Sequence, residues 1–169
     1  ISGSGTDLTV NAANDRVQTA VTATNKRARV SDAAAPTGIQ EIIADCQSNN
    51  VGGAQVGRPV ARGAAGAECY EFDTWQGYGA NENVLWRVDA GAGTSILQQD
   101  RGIAADGTRR LRLRAIGGGA RVALECQVDD TRPLVFTDTS ADRNLTGTPG
   151  VSVYNDTANS GFIDNLSID

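Results

Sequence analysis

Residues 71–83 read EFDTWQGYGANEN and hold most of this chain's side chains that are equipped for chemistry. Glu71 and Asp73 alternate, so on a strand their carboxyl groups share one face, about 5 Å apart as in a retaining glycosidase. Trp75 and Tyr78 follow, with Asp73, Gln76, Asn81 and Asn83 around them in a Gly-rich loop. That mixture suits sugar recognition, because a pyranose face stacks on an aromatic ring while amides and carboxylates read its hydroxyls. Asp73, Trp75, Gln76, Tyr78, Asn81 and Asn83 are therefore the candidate glycan-binding residues. Core packing competes for the same rings, since the chain has only two Trp, three Tyr and three Phe. Trp86 alternates with Val84 and Val88 and reads as core.

Histidine is absent, which excludes Ser-His-Asp and Cys-His catalysis and any His-ligated metal. The three cysteines, Cys46, Cys69 and Cys126, show no metal-ligand spacing. Cys126 alternates with Val122, Leu124 and Val128 and should point inward. Cys69 alternates with Glu71 and Asp73 and should point outward if Tyr70 and Phe72 face the core. Cys46 is open. Cys46 and Cys69 are the disulfide candidates if their strands are neighbours. If they are not, Cys69 is the candidate for a bond between subunits, and three free thiols are the remaining outcome.

The elements that position these residues are short strands. Apolar alternation with period two recurs over 8–10, 16–22, 39–46, 54–62, 68–75, 84–89, 95–98, 109–116, 121–128, 134–137, 150–154 and 162–168. Turn chemistry separates them, as in SNNVGG, RGAAGA, ADGT, IGGGA and TGTPG. Only 33–45 leaves room for a short helix. The pattern predicts an all-β chain, an antiparallel two-sheet β-sandwich or jelly roll. At 169 residues it is a single domain, with 1–7 reading as a linker from a preceding segment. The chain opens on Ile1 and shows no signal peptide. No apolar run approaches the 18 residues of a membrane span, and a net charge of -5 argues against nucleic acid as partner. Lys26 is the lone lysine among 15 basic residues, an arginine bias that hints at a GC-rich bacterial or phage genome.

The clearest unit is RRLRLRAIGGGARVALECQV. Leu111, Leu113 and Ala115 should face the core with Val122, Leu124 and Cys126, and Arg110, Arg112 and Arg114 should face away. That alternation allows a register with Arg112 opposite Glu125. The arginine stripe reads as a solvated face, with a docking surface for an acidic glycan or protein as the alternative.

The ordered series LTVNAANDRV, VGRPVAR, CYEFDTW, VLWRVD, the LRL…VALECQV hairpin, FTDTSADRNLTGTPGVSVY and GFIDNLSI resembles the concanavalin-A-like (laminin-G-like) jelly roll. The resemblance runs from Leu8 to Ile168. It implies a last strand that returns to pair near the start of the domain. On that strand Asp164 would hold a neighbouring loop through hydrogen bonds or bind a structural calcium ion through oxygen. No other cofactor is implied. The same fold includes β-glucanases, whose strand carries Glu-x-Asp-x-Glu or its bulged form. Glu71 and Asp73 match that pattern, but Gln76 stands where the acid/base should be, and an amide transfers no proton. The expectation is therefore a non-enzyme, with no catalytic residue.

Two roles stay open. One is a structural module of an extracellular or virion surface, such as a capsid or tail decoration, whose partners are other surface proteins or further copies of itself. The other is a carbohydrate-binding module of a secreted bacterial protein, whose partner is polysaccharide.

Overall fold

The computed structural model describes residues 2–3, 8–11, 16–19, 24–29, 38–49, 55–64, 68–75, 82–90, 92–100, 107–155 and 162–169. In chain order its strands are β1 Ser2–Gly3, β2 Leu8–Asn11, β3 Arg16–Thr19, β4 Thr24–Arg29, β5 Ile39–Asn49, β6 Gln55–Gly63 and β7 Cys69–Trp75. They continue as β8 Glu82–Asp89, β9 Ala92–Asp100, β10 Gly107–Ile116, β11 Val122–Val128, β12 Leu134–Asp138, β13 Thr148–Asn155 and β14 Phe162–Ile168. The fold is all-β, as the period-two alternation predicts. Of the stretch 33–45 with room for a helix, 39–45 begins β5, which β10 pairs from Ile39 to Ser48. Sequence alternation does not show β1 or β4. The β4 segment, TNKRAR, has no apolar period and is fixed by its backbone ladder to β13.

Every ladder is antiparallel. The first sheet runs β2-β3-β14-β5-β10-β11-β12, and the second β1-β4-β13-β6-β7-β8-β9. The β5–β6 hairpin joins them through the rungs Ser48↔Val56 and Asn49↔Gln55. β14 lies between β3 and β5, so the last strand does return to an early one. Reciprocal backbone bonds between Glu41 and Asp169, at 2.9 and 3.0 Å, tie down the end of the chain.

Side chains alternate as the pleat requires. Ile42, Ala44 and Cys46 of β5, Leu111, Leu113 and Ala115 of β10, and Val122, Leu124 and Cys126 of β11 point between the sheets. From the second sheet Ala61, Tyr70, Phe72, Leu85, Val151 and Val153 meet them. Each fully buried Leu, Ile or Phe contributes about 1.5–3 kcal/mol of transfer free energy. The sheets approach closely at Gly57, where a Cβ would stand 2.7 Å from the Phe162 carbonyl oxygen and 2.8 Å from Ile163.

The outer face of the first sheet is an ion-pair lattice. Its register differs from the one anticipated, since Arg112 opposes Gln127 and Arg114 opposes Glu125. Arg112 instead forks onto Glu41 of β5 at 2.8 and 3.1 Å, and Arg114 bridges Glu41 and Glu125. Arg110 pairs with Asp45, and Arg109 with Asp129. The stripe is solvated but neutralised, so it offers no unbalanced positive face.

Candidate functional site

β7 is buried on both faces from Cys69 to Thr74, unlike a strand with one solvated side. Tyr70 and Phe72 enter the inter-sheet core, while Cys69, Glu71 and Asp73 lie on the far face of the second sheet. The rungs Val60↔Glu71 on one side and Glu71↔Trp86 on the other place β6 and β8 beside them. Arg58 of β6 is the counter-charge: its Nε donates to Asp73 Oδ2 at 2.5 Å and its Nη1 to Glu71 Oε2 at 3.0 Å. Glu71 is 1 % exposed and Asp73 0 %. Burial pushes the Asp73 carboxyl above the ordinary range, with Glu71 adding to the rise against Arg58 and Trp86. Burial also works against the Arg58 charge, but the two carboxylates outweigh it and hold its pKa above the usual arginine value.

Asp73 Oδ2 also accepts the Trp86 indole N–H at 3.1 Å, while Oδ1 is buried without a hydrogen-bond partner. Trp86 is therefore not part of the main core. It is half-buried on the Asp73 face, packed on Val60, Cys69 and Val88. Its six-membered ring lies against Gly93 of β9, where a Cβ would stand 3.4 Å from Cε3. The indole thus spans the sheet from Asp73 on β7 to Gly93 on β9. Ser95 opposes Trp86 in the β8–β9 register and Gln98 opposes Val84, both exposed on this face and joined at 3.4 Å.

The candidate glycan residues divide. Asp73 sits at the centre of this buried cluster. Asn83 is 3 % exposed and opposes Thr74, on the face shared with Phe72 and Leu85, so it does not join Asp73. Trp75 closes β7, where its backbone pairs with Glu82. Its side chain, like Gln76, Tyr78 and Asn81, lies outside the described residues.

Of the cysteine expectations, an inward Cys126 and three free thiols hold, while the Cys46–Cys69 disulfide and an outward Cys69 do not. All three thiols are free and buried. Cys46 points into the inter-sheet core and Cys69 onto the far face of the other sheet, so they form no disulfide. Cys69 is fully buried, not outward to solvent, and its Sγ lies 3.7 Å from Glu71 Oε1. A bond from it to another subunit has no access. Burial pushes the Cys46 and Cys126 thiols far above their usual pKa.

Asp164 serves its own strand. Its Oδ1 accepts the Asn165 N–H at 2.8 Å, Asn165 adopts φ 48°, and the amide reaches Asp45 Oδ2 at 2.7 Å. These bonds pin the β-bulge between Asp164 and Ser167. No group of three acidic or cysteine side chains with metal-binding geometry occurs among the described residues.

Two further networks hold the ends of the sandwich. Tyr70 Oη donates to Asp138 Oδ2 at 2.8 Å and accepts the Asn144 N–H at 3.0 Å, while Ser140 and Arg87 complete the Asp138 shell. The buried Arg62 guanidinium donates to the carbonyls of Leu145, Gly38 and Gly117 at 3.1, 2.8 and 2.6 Å. Sequence reasoning passed over Arg58, Arg62 and Trp86. The available signal was a pair of arginines inside the otherwise apolar strand QVGRPVARG.

No protein-family model matches the sequence, and neither does the sequence of any curated protein. Among solved structures the chain is similar to the carbohydrate-binding module CBM66 from Bacillus subtilis, at 12 % identity and TM-score 0.68, over 99 % of this chain and 94 % of that one. The chain has a concanavalin-A-like jelly-roll fold. The carbohydrate recognition domain of Emp46p shares it at 12 % identity and TM-score 0.57, over 90 % of this chain and 80 % of that one. Lectin I-B4 from Griffonia simplicifolia does so at 12 % and 0.53, over 99 % and 91 %. Within this lectin-like sandwich the Glu71–Asp73 strand crosses the second sheet with both carboxylates tied to one guanidinium.

Proposed function

We propose that this lectin-like sandwich is a non-catalytic carbohydrate-binding module that acts outside the cell. The observation that carries the reading is Trp86. A half-buried indole held by Asp73 at one edge and Gly93 at the other is a rigid stacking platform, and Ser95 and Gln98 supply hydroxyl-reading groups beside it. Stacking on a fixed ring costs little side-chain entropy, which suits a weak and repeated ligand such as a polysaccharide. Catalysis is disfavoured because Glu71 and Asp73 share Arg58 and have no solvent-facing surface.

The test is affinity electrophoresis and tryptophan fluorescence against a panel of neutral polysaccharides. Binding by the wild type that is lost in Trp86→Ala, with no new reducing ends released, supports the module. Retention of full binding by Trp86→Ala would refute this site.

A second reading, a structural module of a virion or cell surface, is favoured by the closed Arg58–Glu71–Asp73 cluster and by the balanced ion pairs of the first sheet. Such a surface is stable and inert. Failure of every glycan, with co-purification in a defined surface assembly, would favour it.

A further inference from the structure

A second site lies at the opposite sheet, where the β10–β11 turn forms one wall of a hollow of about 340 Å3. Ile116 and Ala123 form its apolar floor on one rung, and Thr137 opposes Ala123 on β12. Gly117, Gly118 and Arg121 complete the lining. On the neighbouring strand Ile39 opposes Ile116 and is 48 % exposed.

A triglycine turn would ordinarily be soft, yet this one is held from both sides. Arg62 donates to the Gly117 carbonyl at 2.6 Å and Arg143 to the Gly119 carbonyl at 2.7 Å, while Gly117 N–H donates to Gly38. Gly117 and Gly119 adopt φ 91° and 71°, and Gly118 between them has open space where a side chain would stand. A backbone wall without side chains is thereby fixed beside the apolar floor.

Arg121 supplies the charge. Among the arginines from Arg58 onward whose side chains are described, its guanidinium alone meets no acceptor. Arg58, Arg87, Arg109, Arg110, Arg112 and Arg114 pair with carboxylates, and Arg62 and Arg143 with carbonyls, and Arg132 is also engaged. On the adjoining rung Asp138 is buried and engaged by Tyr70, Arg87 and Ser140, and the next charged pair on this face, Arg114↔Glu125, is already balanced. In a chain of net charge -5, an exposed unpaired guanidinium at the rim of an apolar hollow selects for an anion with an apolar face.

We infer that this hollow is a binding site for a carboxylate-bearing pyranose, a uronic-acid residue of an acidic polysaccharide. The C–H face of the ring covers Ile116 and Ala123, the carboxylate takes the planar guanidinium of Arg121 in two parallel hydrogen bonds, and a ring hydroxyl meets Thr137. The assignment does not rest on the Trp86 platform, which occupies the other sheet and takes neutral sugar.

The experiment uses the full chain, 15N-labelled, titrated with tetragalacturonate and with its fully methyl-esterified form, which keeps the rings and removes the charge. The acid should shift the amides of 116–123 and Thr137. The ester should bind about tenfold more weakly or worse, as loss of a charged hydrogen-bond pair implies. Arg121→Gln should lose about the same factor, and Arg121→Lys should recover part of it. Arg121 is exposed, so these variants fold. Equal binding of acid and ester, unchanged affinity in Arg121→Gln, shifts confined to β8 and β9, or equal competition by dextran sulfate and inorganic sulfate at matched charge would each overturn the assignment.

Discussion

Arg58 Nε stands 2.5 Å from Asp73 Oδ2, and neither side chain is more than 5 % exposed. With Glu71 on the same guanidinium, the cluster carries two acids on one base inside the second sheet. Removing the base strands two buried carboxylates. Arg58→Met should cost about 3–5 kcal/mol in chemical denaturation, whereas replacing Arg58, Glu71 and Asp73 together by apolar residues should cost far less. Equal losses in the single and triple variants would show that the charges are not coupled.

Asp138 should shape the acid limb of stability. Its burial alone would raise the carboxyl pKa, but hydrogen bonds from Ser140, Tyr70 and Arg87 outweigh burial and hold it below 3.8. A depressed folded pKa contributes stability above the unfolded value that is lost as pH falls through the folded one. Asp138→Asn should therefore be less stable near neutrality and flatter in its loss below about pH 4. Asp73 has the opposite sign: its raised pKa gives a contribution that is complete at low pH and declines as pH rises through the folded value. Urea titrations of both asparagine variants across acid pH test the two slopes.

The thiols should be silent in the native protein. Cys46, Cys69 and Cys126 are buried, and burial disfavours the thiolate that reacts. Ellman's reagent should register none of them in native protein and all three in denaturing guanidinium chloride, with a single monomer band on non-reducing electrophoresis. A reduction-sensitive dimer would contradict the burial of Cys69.

Arg62 combines a left-handed backbone, φ 56°, with three carbonyl partners from separate segments. Arg62→Ala should lower stability by about 3 kcal/mol, since three carbonyls from separate segments lose one shared charged donor. Arg62→Gly should be less damaging than Arg62→Ala by about 1 kcal/mol, because glycine adopts that φ without strain. The reverse order would mean that the backbone there relaxes freely.

The sequence alone determined most of the strand content and the inward set of the β10–β11 hairpin, because a period of two leaves one face to bury whichever strand lies alongside, while the return of β14 followed from the family resemblance and not from alternation. Turn residues then set where each strand stops, with β1 and β4 lost for want of an apolar period. Partners across the sheets were not determined, since alternation names a face but not what covers it. Only the tertiary structure buried both faces of β7, took Cys69 out of solvent, set Arg58 between Glu71 and Asp73, moved Trp86 from the main core to their side, and parted Asn83 from Asp73. Those pairings arise between β6, β7 and β8 by register. A one-residue slip in any of them would exchange every partner while leaving each strand's own pattern unchanged.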